Sequence, residues 1–269
     1  MKIPDTATAR WSGLPSQEPP VLLAHAARQF ATAVADGSHL LETTGYRVHI
    51  WPEPDPFYRN VAIPLDDRAN DPSAIDGMIE LFARHGRVPR LEFFAECHPL
   101  LAGTLRERGF LTDMEAPVMV RSTPAEGPQG GEWLAAGDDV DIYMMAAEAS
   151  FGAVEPPAPM EIQRMRKRLA DGRTLTVCLR DDCGTPVAGA SLTGIGEVAE
   201  LAAVWTCPRA RRRGYACRVI RTLLPRFFDH GGRLVWLSAA TGESLALYRG
   251  LGFATIGHQL NFHLPAGRH

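Results

Sequence analysis

The sequence predicts an α+β fold in two domains, each a mixed, mostly antiparallel sheet flanked by helices. Three observations predict it. Segments of strand character and segments of helical periodicity alternate along the chain, in an order that breaks up a largely antiparallel run. A stretch rich in Pro and Gly, Arg121 to Gly131 (RSTPAEGPQGG), interrupts them with no periodicity of its own. A twenty-residue pattern also occurs twice: LEFFAECHPLLAGTLRERGF, Leu91 to Phe110, parallels LVWLSAATGESLALYRGLGF, Leu234 to Phe253. The expected division is a first domain over 1–121, a linker over 122–131 and a second domain over 132–269.

Val21 to Gly37 reads as a helix, because Leu22, Leu23, Ala26, Phe30, Ala33 and Val34 recur at helical spacing and Gly37 is a stop. His39 to Trp51 is β-branched and aromatic and reads as strand, as does Asn60 to Pro64. Ser73 reads as an N-cap for a helix over Ala74 to His85, closed by Gly86. Arg90 to Ala95 is strand, Pro99 to Arg108 is helix stopped by Gly109, and Pro117 to Arg121 is strand. After the break, Asp138 or Asp139 caps a helix running to Ser150. Pro159 to Ala170 is a helix with Met160, Ile162, Met165 and Leu169 on one side. Leu175 to Arg180 and Val187 to Thr193 are strands around the turn Asp181 to Gly184, and Glu197 to Thr206 is a third. Helix (Arg213 to Asp229), strand (Arg233 to Ala239), helix (Ser244 to Leu251) and strand (Thr255 to Leu264) complete the chain.

Apolar residues make up 45% of the chain and charged residues 22%, enough to bury a core in each domain. The formal net charge of -3 is not that of a nucleic-acid binder. No apolar run approaches the roughly 20 residues that span a membrane, and the polar, Pro-rich start lacks the apolar stretch of a secretory signal. The five cysteines, Cys97, Cys178, Cys183, Cys207 and Cys217, are odd in number and show no C-x-x-C spacing. They argue against a zinc site or disulfide framework and for a reducing compartment. The expectation is a cytoplasmic protein, monomer or homodimer, with no metal.

Chemistry concentrates in AELAAVWTCPRARRRGYACRVIRTLL, Ala199 to Leu224. A strand ends at Pro208, a basic loop follows, and a helix opens near Gly214. Glycine lets a backbone come close to a ligand. The first-turn N–H groups of a helix lack intrahelical partners and carry the positive end of its dipole, so an anion such as pyrophosphate fits there. The bland alternative is a solvated basic loop before a surface helix.

The run Arg211-Arg212-Arg213-Gly214-Tyr215-Ala216 resembles the acetyl-CoA loop, Q/R-x-x-G-x-G/A, of the GCN5-related N-acetyltransferase (GNAT) superfamily. Downstream, Tyr248-Arg249-Gly250-Leu251-Gly252-Phe253 resembles that family's closing Tyr-x-x-x-Gly-Phe. The resemblance covers about Ala135 to Leu264. It implies acetyl-CoA as co-substrate, a small-molecule primary amine as acceptor, and direct transfer in a ternary complex. It implies Glu200, in an Ala-Glu-Leu eleven residues before Arg211, as the base, with Glu197, Glu148 and Glu155 as rivals and a water relay as an alternative. The backbone of Val204, Trp205 and Thr206 would meet the carbonyl oxygen. Tyr248 would protonate the departing thiolate. Thr241 and Ser244 fall on the cofactor side, with Thr241 where the family often has Asn.

The same resemblance makes the first half a degenerate copy. Leu105 stands where Tyr248 stands, and PLDDRANDPS, Pro64 to Ser73, has no glycine and carries Asp66, Asp67 and Asp71. Three carboxylates repel a pyrophosphate. This half is expected to bind no CoA and to act structurally. A CoA-binding sensor or scaffold without turnover, or a transferase of another acyl group, remains the alternative. The acidic residues Asp138, Asp139, Asp141, Glu148 and Glu155 suit a cationic acceptor.

Overall fold

The computed structural model describes residues 18–33, 38–52, 59–239 and 242–265; Val34 to Gly37, expected to end the first helix, and Thr241 lie outside the described residues. The fold is α+β. Contacts divide it into two compact units: one of Pro15–Met119, Ser238–Ala246 and Thr255–His269, the other built on Val120–Leu237 and Leu247–Ala254.

In the first unit, α1 (Pro19–Ala33) precedes a hairpin of β1 (His39–Thr43) and β2 (Tyr46–Ile50). The sequence suggested one strand there. Gly45 breaks it in a left-handed conformation at φ 73, where an added Cβ would lie 2.5 Å from the Ala69 nitrogen. β3 (Val61–Pro64), α2 (Pro72–Arg84) and β4 (Arg90–Phe94) form a β-α-β crossover, followed by α3 (Leu101–Glu107) and β5 (Leu111–Arg121). The cap of α2 is Asp71 with Pro72 at the first position, two residues earlier than the expected Ser73 cap. Tyr46, Ile75, Met78, Phe82, Leu91 and Phe262 belong to one fully buried core cluster.

The strand order of this unit is β1-β2-β3-β4-β11-β5, where β11 (Ala254–His263) is the last strand of the chain. β11 pairs antiparallel with β4 over Gln259–His263 and Arg90–Phe94. The chain therefore does not divide into two consecutive domains at the Pro/Gly break. Composition marks that break, whereas strand pairing across more than 150 residues leaves no local mark.

Alternation on these two strands sends Leu91, Phe93, Leu260 and Phe262 into the core. The opposite face carries Arg90, Glu92, Asn261 and His263. Glu92 accepts a hydrogen bond from Asn261 at 3.1 Å, and Arg90 lies 3.7 Å away. Burial pushes the Glu92 carboxyl up to about 7, against the lowering by Arg90. A folded value above the unfolded one means the folded state holds the proton more tightly, so stability falls as pH rises from about 4.5 to 7. Glu92→Gln keeps an acceptor for Asn261 and removes the charge. It is expected to stabilise the protein above pH 7 by about 1–3 kcal/mol and to leave it unchanged at pH 4.5. Thermal melts at both pH values read this; equal melting of variant and parent at pH 8 would mean the carboxylate is held without strain.

The second unit orders its strands β10-β9-β8-β7-β6. These are β6 (Glu132–Trp133), β7 (Thr174–Arg180), β8 (Pro186–Thr193), β9 (Val198–Thr206) and β10 (Leu234–Ser238). Its helices are α4 (Val140–Ser150), α5 (Pro159–Ala170), α6 (Tyr215–Asp229) and α7 (Gly242–Gly250), the last shared between the units. β6 is too short to show a period and was not foreseen. α4 and α5 pack Val140, Tyr143, Met165 and Leu169 against Cys178 and Trp205 in one buried cluster. α6 runs along β7 and β8 and buries Val219, Ile220, Leu223, Leu224 and Phe227.

The segment 122–131 is docked on α6 and is no free tether. Thr222 bonds both the N–H and the carbonyl of Gly130, at 3.0 and 3.1 Å, and Arg218 donates to the Gln129 carbonyl at 3.4 Å. An added Cβ at Gly127 would meet the Arg221 guanidinium at 2.8 Å.

Candidate active site

β9 and β10 are parallel, and their pairing runs only from Val198–Leu234 to Glu200–Trp236. Glu200 thus occupies the last rung before the strands part. β9 continues to Thr206 paired only with β8, and its register shifts between Gly189–Trp205 and Ser191–Ala202. Ala203 and Val204 together oppose the single residue Ala190, which makes a bulge in β9, and Ala203 takes φ 47. A bulge re-aims the backbone at the mouth of the fork, where the sequence reading put Val204, Trp205 and Thr206. Ala203 was missed. Nothing in an Ala-Ala-Val run announces an extra residue.

Trp205 offers this mouth only its backbone. Its side chain is buried, and the indole N–H donates to the Tyr143 hydroxyl at 3.2 Å. Gly189 leaves room for that contact: a Cβ there would sit 2.6 Å from the Tyr143 ring. Burial pushes the Tyr143 phenol up to about 12, so it stays protonated.

Glu200 is partly buried and sits in register with Thr193, which pairs with Thr174. Two residues along, on the same face, the hydroxyls of Thr176 and Ser191 lie 2.9 Å apart. Cross-strand partners share a face. The candidate base therefore stands beside a row of hydroxyls that sequence reasoning missed, although the alternation in Thr174-Leu175-Thr176 and Ser191-Leu192-Thr193 displays it.

From Thr206 the chain turns through a short 3₁₀ segment, Pro208–Ala210, into α6. Gly214 is the N-cap, left-handed at φ 74, with no side chain bonded into the helix end. An added Cβ at Gly214 meets nothing within 4 Å, so the approach to the first-turn N–H groups of Tyr215, Ala216 and Cys217 is open. Arg212 is also left-handed, at φ 66.

The structure sorts the basic run. Arg209 pairs with Asp181 at 2.8 Å. Arg211 donates to the carbonyls of Thr206 and Ser150, both at 3.3 Å, and so ties the loop back to β9 and α4. Arg218 serves the docked segment, and Arg226 lies 4.6 Å over the Trp133 ring. Arg212 and Arg213 are exposed beside Gly214. Among the acidic residues expected to attract an acceptor, Asp138 caps the Ala135 N–H at 2.6 Å and Asp141 pairs with Arg166 at 3.4 Å.

Tyr248 arrives on α7, whose end explains most of its motif. The Phe253 N–H bonds the Tyr248 carbonyl at 2.9 Å and the Gly252 N–H bonds that of Arg249 at 2.9 Å. Gly252 is left-handed at φ 78, and the Phe253 and Tyr248 rings pack edge to face at 5.9 Å. This is a Schellman cap with its apolar contact. The first half repeats it: Phe110 bonds to Leu105 and Gly109 to Arg106, both at 3.0 Å, with Gly109 at φ 83. The repeated Gly-Phe is thus a helix stop, and what the second copy adds is a phenol where the first has the buried Leu105. Burial pushes the Tyr248 phenol up to about 12. Ser244 is partly buried in the first turn of α7.

A sheet forked at a bulge has a glycine-opened helix at its mouth, within the stretch that the comparisons also single out. Residues 141–253 match the Acetyltransferase (GNAT) family. The fold is similar to that of a GCN5-related N-acetyltransferase from Kribbella flavida (TM-score 0.73, 21% identity, covering 94% of this chain and 98% of that one). It is also similar to a GCN5-related N-acetyltransferase from Sphaerobacter thermophilus (TM-score 0.61, 16% identity, 93% of each chain covered). A tandem GNAT protein from the clavulanic acid biosynthesis pathway shares it as well (TM-score 0.60, 14% identity, covering 95% of this chain and 98% of that one). At these identities the likeness speaks for the fold. No curated protein matches the sequence.

Proposed function

We propose that this chain is an acetyltransferase that moves an acetyl group from acetyl-CoA to a primary amine of a small molecule, by direct transfer in a ternary complex. The observation that carries this reading is the opening of α6 on left-handed, uncapped Gly214 at the end of a strand that parts from its parallel neighbour after Glu200. The residues fit the co-substrate. Open first-turn N–H groups and the exposed Arg212 and Arg213 suit its phosphates. Acetyl-CoA supplies the thioester; this chain supplies the groups around it. Val204 to Thr206 present backbone to the acetyl carbonyl. Glu200 receives the amine proton, directly or through water held by the neighbouring hydroxyls. Tyr248 offers its O–H to the sulfur. The free cysteines suit a reducing compartment, and no described helix is long and apolar enough to cross a membrane.

We assign no CoA to the first half. Its matching helix, α2, starts at Pro72, which has no N–H, behind Asp71. The glycine and free cations of the other loop have no counterpart there.

Gly214→Asp tests the reading. The new side chain enters open space, so the fold bears little strain beyond the left-handed backbone. Its charge stands where phosphate belongs. A loss of more than about 2 kcal/mol in acetyl-CoA affinity, some 30-fold, is expected by calorimetry. Gly214→Asn, equal in size and tolerant of the same backbone, should lose much less. Unchanged affinity in the Asp variant removes the loop from the site.

A further inference from the structure

The first half has its own fork. β3 and β4 are parallel and pair only at Ala62–Leu91, and past that rung a cavity of about 620 Å³ opens between their ends under α1. That volume lies within the range of small-ligand pockets. One wall is apolar, with Ala27, Phe30, Ile63, Phe93 and Phe94 among its residues. The Phe30 and Phe94 rings stack at 5.9 Å and hold that wall rigid. The polar lining carries both signs: Arg28 and Arg47 on one side of the ledger, Asp66 and Asp67 on the other.

Two details point to a ligand. Arg47 Nε, on a guanidinium whose Nη2 is held by Glu42 at 3.1 Å, and His98 Nδ1 are buried and have no hydrogen-bond partner among the described residues, and both residues line this cavity. A buried donor or acceptor left unpaired is destabilising by about 1–3 kcal/mol, so such atoms in a cavity wall imply something polar against them. The carboxylates are not equivalent either. Asp66 is held by Arg68 at 2.6 Å, which leaves Asp67 as the exposed anion of the rim.

We propose that this cavity binds an apolar α-amino acid, or a compound carrying the same pair of charges on an apolar body. Its carboxylate lies toward Arg47 and Arg28, its ammonium toward Asp67, and its side chain along the phenylalanines. A ligand of single charge leaves one sign of the rim facing it unmatched. The phosphates of CoA meet Asp66 and Asp67 and are repelled. Cys97, also in the lining, is no nucleophile here, because burial pushes its thiol up.

Calorimetry on the full chain tests this with L-phenylalanine as probe, against 3-phenylpropionate and 2-phenylethylamine, which each lack one of its charges. One phenylalanine per chain is expected, with each analogue at least tenfold weaker. Arg28→Ala and Asp67→Asn should each weaken phenylalanine tenfold or more. Ala27→Phe, which fills the cavity, should abolish it while acetyl-CoA still binds. Absence of binding, equal affinity for all three probes, or full binding in Arg28→Ala and Asp67→Asn overturns the assignment. Should Ala27→Phe fail to fold, the two charge variants decide alone. None of these readouts depends on turnover, so failure here leaves the acetyl-transfer reading untouched.

Discussion

Tyr248→Phe is expected to slow turnover 10²–10⁴-fold with little change in acetyl-CoA affinity. The substitution removes one oxygen from a ring whose packing is already accounted for. That ring forms the apolar contact of the α7 cap with Phe253, and the other half fills the same place with Leu105. Stability should therefore hold or rise slightly, since among the described residues the hydroxyl makes no hydrogen bond that would be lost. What disappears is the phenol of the proposed acid. At about 12 it keeps its proton through the whole working range, so it produces no pH limb of its own near neutrality. An ordinary thiol near 8.5 is a poor base for such an acid. The dry surroundings that lift the phenol also lift a thiol beside it, which brings the two closer to balance. Single-turnover kinetics and calorimetry on the variant read the outcome. Turnover within about threefold of the parent makes Tyr248 a packing residue and leaves water as the proton source. Loss of acetyl-CoA binding places the hydroxyl in the co-substrate's footing. An active parent enzyme, in either case, removes the sensor alternative.

The sequence displayed what is local and hid what is not. Helix stops at Gly86 and Gly109 were readable because a left-handed residue must close each helix, and glycine takes that conformation freely. The β9-to-α6 passage was readable at Gly214, because a glycine between a strand and a helical period marks a helix start that a ligand can approach. The hairpin at Thr44-Gly45 was not separated from its flanks, because both strands carry the same β-branched and aromatic character. The partner of β11 could not be read, since its apolar alternation fits any sheet edge of the right period. The arginine run looked like one electrostatic feature. In the fold Arg209, Arg211, Arg218 and Arg226 each meet a different structural partner, and only Arg212 and Arg213 of the Arg211–Arg213 run stand exposed beside Gly214 without such a tie among the described residues. Glu200 was chosen through the family resemblance, and its physical distinction, the last rung of the parallel ladder, emerges only from the register.

That position gives Glu200→Gln a specific signature. The substitution keeps the size and the hydrogen-bonding oxygen and removes the basicity, so the fold at the fork should persist. An acceptor amine with a pKa near that of Lys, about 10.4, is neutral in only about one molecule in a thousand at pH 7.4. Such an acceptor needs its proton drawn off in the site, and a positioned base typically contributes 10²–10⁴-fold. With it, Glu200→Gln should lose at least about 100-fold in kcat/KM. An acceptor near 8, like an α-amino group, is already about one-fifth neutral and should lose markedly less. The loss should also shrink as assay pH rises toward the pKa of the amine, because hydroxide and bulk water then do what the carboxylate did. A variant that loses the same factor with both amines at every pH has lost geometry rather than a base. In that case Glu200 holds the fork, paired with Thr193 on one side and with Trp236 on the other where β9 and β10 diverge, and the proton leaves through the hydroxyl row of Thr174, Thr176 and Ser191.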